Sequence, residues 1–461
     1  MDERQRRREI ERRKQMRRKR RIKAYIYRAI FLAVIIAILV VCVKVVKHIV
    51  DNRKEQQVAS SQLNNHEPDA NKDMIAGDIV TDMDTENTES DTITATILSA
   101  GDVIIHDPFV TSEFYKTADG GYDYTSVLAY VKEDYENADF AVVNMESNIC
   151  DNDFGGYPKF RAPEGIATSL YNNGIDMCIL ANNHFYDNGH AGLISTMEYL
   201  AENKLIYLGA QLSPSDTTYH IQEINGIKVG FFNYTYANGN DSQLATNNHP
   251  VDPADAKIIN YFDYGNLDKL YHELESGLTE MEDAGVEYTV AYIHWGEEYA
   301  LEENNTQHKI AAKLCELGID ALIGGHPHVV QPVDVITNDA GDHEMLCVYS
   351  VGNHFSNQRR ERMDTLKTGH TEDGLMVTLT LEKDDAGKVT LVDTDFVPTY
   401  MYKTTENGDE EFLLLPIHDL EQLVDEVIGY DIESDVTESL KRTNAIISDG
   451  IDKVEAALPL S

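Results

Sequence analysis

Apolar runs that end in polar or glycine-containing turns recur along the chain from about Thr92 to Thr365. These runs are ITATILSAGD, ADFAVVNME, IDMCILANNH, KVGFFNYT, VEYTVAYIHWG, IDALIGGHPH and MLCVYSVGN. Their β-branched and aliphatic composition predicts buried strands that lead into tight loops. Segments with helical periodicity, such as GLISTMEYLAEN and QHKIAAKLCELG, lie between several of them. This alternation predicts an α/β layered domain with a buried sheet.

The pattern changes after about Thr365. The segment GLMVTLTLEKDDAGKVTLVDTDFVP predicts a hairpin that turns at Asp384 to Gly387. From Leu413 onward, acidic segments such as LEQLVDEVIGY predict helices. We therefore expect a main domain over residues 92–400 and a helical, acidic C-terminal extension over residues 401–461.

The first 91 residues have a different organisation. A basic segment, residues 1–28, precedes an uncharged apolar run, which predicts a transmembrane anchor over residues 29–46. Because a basic flank marks the cytoplasmic side, we expect a single-pass protein of the cell membrane with a cytoplasmic N-terminus and an extracellular main domain. Residues 47–91 are polar and predict a disordered acidic stalk. A cleaved signal peptide is the alternative interpretation of the apolar run.

The distribution of charge also separates residues 1–28 from the rest of the chain. Residues 1–28 contain 14 Lys and Arg against four Asp and Glu, a net charge of +10. The remainder contains 25 against 75, a net charge of −50. So acidic a surface argues against nucleic acid as a partner, because phosphate backbones are bound through Lys and Arg. The four cysteines beyond the anchor show no metal-ligand spacing, so we expect them to be mostly buried, with one disulfide left open.

Side chains that can bind metals follow the predicted strands where each strand ends. They are Asp102, Asn144, Glu146, Asn182, Asn183, His184, His294, His326 and His328. Because ligand sites of open α/β sheets collect at the carboxyl ends of strands, we expect these side chains to converge. Carboxylates, amides and imidazoles suit one or two divalent ions such as Mn²⁺, Fe²⁺ or Zn²⁺. Taken singly, each has an ordinary alternative; Asp102, for example, could be a helix N-cap.

The combination of motifs is more specific than any one residue. The series GDVIIHD, VVNMES, FRAPE, LANNHFYDNG, IHWGEEY, IGGHPHVVQPVDVI and YSVGNHF resembles the CapA/PgsA family of poly-γ-glutamate capsule synthesis proteins over about residues 92–400. The resemblance implies a calcineurin-like metallophosphoesterase fold, a four-layer αββα sandwich. It implies that His184 is the catalytic histidine that protonates the leaving group. The metal ligands that it implies are Asp102, Glu146, Asn183, His294, His326 and His328.

The first motif departs from that of the wider superfamily. Residue 104 is Ile, where an Asp-x-His motif would place a histidine, and His106 is a candidate replacement. Asp187 would orient His184, and Arg161 would bind a carboxylate or phosphate. Asn144 is a further candidate within the site, and Asn353 is a candidate for closing its rim.

The sequence leaves three hypotheses for the function. The first is a metal-dependent, phosphoesterase-like hydrolase that acts outside the cell in capsule or poly-γ-glutamate synthesis or export. The alternative is a non-catalytic, metal-stabilised component of a capsule polymer synthase or export complex. Either implies the membrane, capsule-synthesis membrane proteins and an anionic polymer such as poly-γ-glutamate as partners. A surface-binding protein with a degenerate site is a third hypothesis.

Overall fold

Two β-sheets form the centre of the fold. The computed structural model describes residues 92–247, 249–406 and 408–458. The strands are β1 Ile93–Val103, β2 Phe140–Met145, β3 Asn148–Ile149, β4 Arg161–Ala162, β5 Met177–Ile179, β6 Ile206–Leu208, β7 Tyr219–Ile224, β8 Ile227–Tyr236, β9 Ala245–Thr246, β10 His249–Pro250, β11 Tyr261–Phe262, β12 Tyr288–His294, β13 Ala321–Gly325, β14 Val333–Thr337, β15 Glu344–Val348, β16 Asn353–Phe355, β17 Asp373–Lys383, β18 Val389–Glu406 and β19 Asp409–Pro416. The α-helices are α1 Asp107–Thr111, α2 Lys132–Asn137, α3 Gly165–Asn172, α4 Gly189–Glu202, α5 Asp268–Asp283, α6 Asn305–Leu317, α7 Leu420–Glu426 and α8 Glu433–Ala457, with 3₁₀ turns at Asp255–Ile258 and His370–Glu372.

Each sheet has a parallel core with antiparallel strands at one or both sides. The first runs in the order β19-β18-β17-β1-β2-β5-β6, and β16 pairs in parallel with the end of β1. The second runs β11-β8-β12-β13-β15-β14, with β7 paired antiparallel to β8. The strands β1, β2, β5 and β6 of the first sheet, and β8, β12, β13 and β15 of the second, are mutually parallel. Parallel strands covered on both faces explain the nearly continuous apolar runs in the sequence.

Three buried clusters define the layers. One cluster lies between the sheets and includes Ile97 and Val142 of the first sheet and Phe231 and Val290 of the second. A second cluster joins the other face of the first sheet to α3 and α4. A third joins the other face of the second sheet to α5 and α6. The result is a mixed α/β domain layered helix, sheet, sheet, helix, which fits the metallophosphoesterase-like fold that the resemblance implied.

The end of the chain adds strands as well as helices. The predicted hairpin is confirmed: β17 and β18 pair antiparallel, and the Asp384 amide bonds the Lys388 carbonyl. However, β18 continues through residue 400, and β19 pairs with it. The helical prediction is therefore corrected for residues 401–406 and 409–416, because these residues extend the first sheet. Helix α8 follows and buries Ile447 and Val454 with the cluster between the sheets.

The predicted segments 1–28, 29–46 and 47–91 lie outside the described residues. Within the described ranges, no helix is both long and apolar enough to cross a bilayer. Cys150, Cys178, Cys315 and Cys347 are buried and free, so the disulfide left open by the sequence does not form among them.

Candidate metal centre

The predicted site lies where the parallel strands end, at the border of the cluster between the sheets. Asn144 and His294 stand two residues beyond Val142 and Tyr292, whose side chains belong to that cluster. Since alternate residues of a strand share a face, the same face that is apolar within the sandwich becomes polar at its end. Asn144, Glu146, His294, His326 and His328 are all buried there.

Gly101 lets β1 turn its last residues into the site. A Cβ built at residue 101 would lie 1.9 Å from the Gly352 carbonyl oxygen, so only glycine fits at this close approach. The Asp102 amide donates to that same carbonyl at 3.1 Å, and the β1–β2 register shifts at this point. The Asp102 carboxylate is consequently held in the interior with no exposed surface.

Asp102 and Glu146 are two buried carboxylates surrounded by amides and imidazoles. His328 Nδ1 lies 3.0 Å from Asp102 Oδ2. The Glu146 Oε1 lies 3.6 Å from His294 Nε2 and 3.7 Å from His328 Nε2, and it has no hydrogen-bond partner. Among the described residues, neither carboxylate forms an ion pair with Lys or Arg. The basic side chains that lie within ion-pair distance of them are all histidines.

A chain of amides fixes these carboxylates. Asn144 Nδ2 donates to Asp102 Oδ1 at 2.7 Å and to Glu146 Oε2 at 3.2 Å. Asn182 Nδ2 in turn donates to Asn144 Oδ1 at 3.1 Å. Asn183 Oδ1 lies 2.8 Å from His294 Nε2, so the amide and the imidazole present their ligand atoms side by side. Asn144 thus orients the carboxylates, whereas Asn183 adjoins the histidines.

The loop after β13 presents two histidines from unusual backbone conformations. His326 has φ 97° and His328 has φ 57°, in the left-handed region that non-glycine residues rarely adopt. The ring centroid of His326 lies 4.8 Å from that of His294 and 6.0 Å from that of His328. Asn353 Nδ2 donates to the His328 carbonyl at 3.2 Å. Asn353 is therefore tied to the histidine loop through its backbone.

Burial sets the charge state of the cluster. Burial, and then the nearby Asp102 carboxylate, raise the pKa of Glu146 well above its ordinary value. Burial and the neighbouring histidines lower the pKa of His294 and that of His326 well below the ordinary value. The two imidazoles are therefore neutral near pH 7, which is the form that binds metal ions.

His184 forms a separate dyad at the edge of the cluster. Its Nδ1 lies 2.8 Å from Asp187 Oδ2, and the same carboxylate oxygen accepts the Phe160 amide at 3.0 Å. The Phe160 ring packs edge-on against the imidazole, with centroids 4.6 Å apart. Asn247 Nδ2 lies 3.3 Å from His184 Nδ1 and also donates to the Asn183 carbonyl. Asp187 contacts Nδ1 and so fixes the orientation of the ring. Nε2 is the other ring nitrogen of this histidine.

The donor set fits a divalent cation. Two groups each bring three candidate ligand atoms within 4.8 Å of one another: Asp102, Glu146 and His294, and Glu298, His326 and His328. Ligand atoms around a tetrahedral zinc ion are about 3.4 Å apart, close to the 3.6 Å and 3.7 Å that separate Glu146 Oε1 from the two imidazole nitrogens. Two buried carboxylates without a cationic side chain are also costly unless a cation or a proton neutralises them.

Two candidates from the sequence lie apart from these groups. His106 Nε2 is 3.3 Å from Ser356 Oγ, and the ring packs against Phe160. Burial and the nearby His328 lower the pKa of His106 to about 3. The Arg161 backbone pairs with Gly155, and its side-chain Nε is buried without a hydrogen-bond partner. Neither side chain belongs to a group of candidate ligands in the described part of the chain.

Glu298 is the residue that sequence reasoning missed. Its exposed carboxylate joins His326 and His328 in the second group. The signal was present in the motif IHWGEEY, which contains two successive glutamates after the β12 histidine. Sequence alone does not distinguish Glu297 from Glu298, because the choice depends on how the following loop folds.

The chain is similar to bacterial capsule synthesis proteins. A family model described as "Bacterial capsule synthesis protein PGA_cap" matches residues 96–358, which include every candidate site residue. The chain is 24% identical over 282 residues to a Bacillus subtilis (strain 168) protein named "PGA biosynthesis protein CapA", covering 59% of this chain and 65% of the relative. It is 27% identical over 245 residues to a Bacillus anthracis protein named "Capsule biosynthesis protein CapA", covering 52% and 55%. The match thus spans less than two thirds of the length of either relative.

Proposed function

Because the chain belongs to the PGA_cap family of bacterial capsule synthesis proteins, we propose that it acts in capsule or poly-γ-glutamate synthesis or export, through a metal-dependent, hydrolase-like site. The names of the two relatives support the biological process. The basic segment at 1–28 and the apolar run at 29–46 support a membrane-anchored protein whose main domain lies outside the cell.

One observation carries the proposal of a metal site. Asp102 and Glu146 are both 0% exposed, burial and the Asp102 carboxylate raise the pKa of Glu146, and one Glu146 oxygen has no hydrogen-bond partner. Imidazoles that burial keeps neutral surround them. A closed core would not retain such a pair without neutralisation, and one or two ions of Mn²⁺, Fe²⁺ or Zn²⁺ would neutralise it.

Each part of the site has a role in ester hydrolysis. The residues that would hold the cations are Asp102, Glu146, Asn183, His294, His326 and His328. A divalent cation supplies Lewis-acid chemistry when bound, because it polarises an ester oxygen and makes water more acidic. His184 would donate the proton from Nε2 to the leaving oxygen, and Asp187 would hold the imidazole in the orientation and tautomer that this requires. Phe160 would exclude water from one side of the ring.

An anionic polymer would have to contact the site itself. The basic cluster at residues 359–362 is neutralised, because Arg359 and Arg360 both pair with Glu372, and Arg362 pairs with Glu410. Since like charges repel, an acidic domain and an acidic polymer would meet where bound cations offset the charge. The anionic partner is therefore expected to bind at the metal centre rather than at this cluster.

The test is hydrolysis of a chromogenic phosphodiester by the purified full-length chain with Mn²⁺, beside its metal content. We expect turnover in the wild type, and loss of turnover with retained metal in His184→Ala. His190→Ala is the matched control, because His190 is an exposed histidine that pairs with Asp255 and belongs to neither group of candidate ligands. Bound metal without turnover on phosphoesters or amides would favour the alternative function, a non-catalytic and metal-stabilised component of a polymer synthase or export complex.

A further inference from the structure

The structure also indicates how the site compensates for the histidine missing from its first motif. Ile104 stands at that position, is buried, and contributes only a backbone bond to the Phe355 carbonyl at 2.7 Å. His106, the replacement considered from sequence, contacts Ser356 and Phe160 instead. Among the described residues, neither Ile104 nor His106 therefore joins a group of candidate ligands.

We propose that Glu298 supplies the ligand that the first motif lacks, as the solvent-facing carboxylate of a second divalent-cation subsite that it forms with His326 and His328. The inference rests on the proposed function in one respect, that the buried cluster binds cations. The three candidate ligand atoms lie within 4.8 Å of one another. The His326 ring is 4% exposed, lies against the rings of His294 and His328, and has an Nδ1 without a hydrogen-bond partner.

The position of Glu298 is fixed by the loop that carries it. The Tyr299 amide donates to the Pro327 carbonyl at 2.7 Å, so the residue after Glu298 is tied to the residue between the two histidines. Gln331 Nε2 donates to the carbonyls of Ala300 and Glu302, and this second attachment holds the loop along the histidine segment. Tyr299 has φ 67°, a conformation that these attachments maintain. The exposed carboxylate is thus held near the imidazoles by hydrogen bonds to the backbone that follows it, at residues 299, 300 and 302.

The two subsites adjoin through Glu146. Its Oε1 is 3.6 Å from His294 Nε2 of the first group and 3.7 Å from His328 Nε2 of the second. Their environments differ, because the residues of the first group are all buried whereas Glu298 is exposed. A solvated carboxylate gains less from ligation than a buried one, which has no water to replace. We therefore assign tight binding to the buried subsite and weaker, exchangeable binding to the subsite with Glu298.

The test measures Mn²⁺ binding to the full-length chain by equilibrium dialysis, with electron paramagnetic resonance to count free and bound Mn²⁺. The variant is Glu298→Gln, which keeps the size of the side chain and removes its charge. Glu297→Gln is the matched control, because Glu297 is the adjacent exposed glutamate and belongs to neither group. Thermal unfolding in EDTA checks that both variants fold as the wild type does.

We expect two equivalents of Mn²⁺ in the wild type and in Glu297→Gln. In Glu298→Gln we expect the tight equivalent to be unchanged and the weaker one to bind at least about tenfold less tightly. Unchanged binding of both equivalents in Glu298→Gln would overturn the inference. A single equivalent in the wild type, unaffected by Glu298→Gln, would also overturn it and leave the proposed function standing. No stoichiometric Mn²⁺ in any protein would overturn both.

Discussion

Replacing Glu146 by Gln separates the cost of the buried carboxylate from its use as a metal ligand. In the metal-free chain, burial and Asp102 raise the pKa of Glu146 well above its ordinary value. A carboxyl group whose pKa is higher in the folded state gives stability that is fully present below the unfolded pKa. That stability is lost as the pH rises through the folded pKa. Glu146→Gln, which stays uncharged, removes this loss.

The size of the effect follows from the shift. Each pKa unit between the unfolded and folded values lowers the free energy of unfolding by about 1.4 kcal/mol once the pH is above both. For a folded part of roughly 365 residues, that corresponds to about 2 °C in melting temperature per unit. At pH 7.5 in EDTA, Glu146→Gln is therefore expected to melt above the wild type, by about 2 °C for each pKa unit lost by then, and at pH 4 to melt at about the same temperature.

The assay is thermal unfolding from pH 4 to pH 8, in EDTA and again with excess Mn²⁺. With Mn²⁺ the wild type is expected to gain on the variant, because Glu146→Gln removes a ligand of the buried subsite and a ligand bound there adds about 2.7 kcal/mol at a hundredfold excess over its dissociation constant. Glu297→Gln, at an exposed site, should follow the wild type throughout. A metal-free Glu146→Gln that is less stable than the wild type at pH 7.5, or equally pH-dependent, would refute the reasoning.

Three other changes test separate parts of the structure. Asp187→Asn should lower the turnover number at least about tenfold, with unchanged metal content, because it removes the carboxylate that orients the acid histidine; steady-state kinetics and metal analysis check this. Gly101→Ala should destabilise the chain by about 1–3 kcal/mol in urea unfolding, because its Cβ would meet the Gly352 carbonyl. Arg442→Gln should cost about 3–5 kcal/mol in the same assay, because it leaves the buried Asp373 carboxylate without its two hydrogen bonds of 2.7 Å.

Each of these predictions has a clear contrary result. Loss of metal in Asp187→Asn would show that the dyad supports the ligands and not the proton donor. Gly155→Ala is the control for the glycine change, because its Cβ would have no heavy atom nearer than 3.5 Å; equal destabilisation of both variants would remove the argument from close approach. A change below 1 kcal/mol in Arg442→Gln would mean that Asp373 is protonated or solvated in the wild type.

The sequence predicted the sheet and its polar edge because both follow from local patterns. Strands covered on both faces need continuous apolar runs, and parallel strands bring their carboxyl ends to one edge. This is why residues as distant in sequence as Asp102 and His328 could be expected together, as their 3.0 Å contact shows. The ligand roles of the individual residues and the N-terminal anchor stay predictions.

Other features depend on contacts that no local pattern encodes. Glu298 reaches the histidines only because Tyr299 and Gln331 fasten the loop, and these contacts join residues 28 and 31 positions apart. The hydrogen bond from Asn353 to the His328 carbonyl likewise joins residues 25 positions apart. The strands at 401–406 and 409–416 did have a local signal, since the sequence Asn-Gly between alternating residues is typical of a hairpin.

The central claim is that buried carboxylates and neutral imidazoles converge to hold divalent cations. Metal analysis of the purified full-length chain, after dialysis against Mn²⁺, Fe²⁺ or Zn²⁺ and removal of free metal, tests it most directly. We predict at least one equivalent in the wild type and in His190→Ala, and none retained by a Glu146→Gln, His294→Ala double variant. Sub-stoichiometric metal in the wild type, or equal metal in the double variant, would contradict the account.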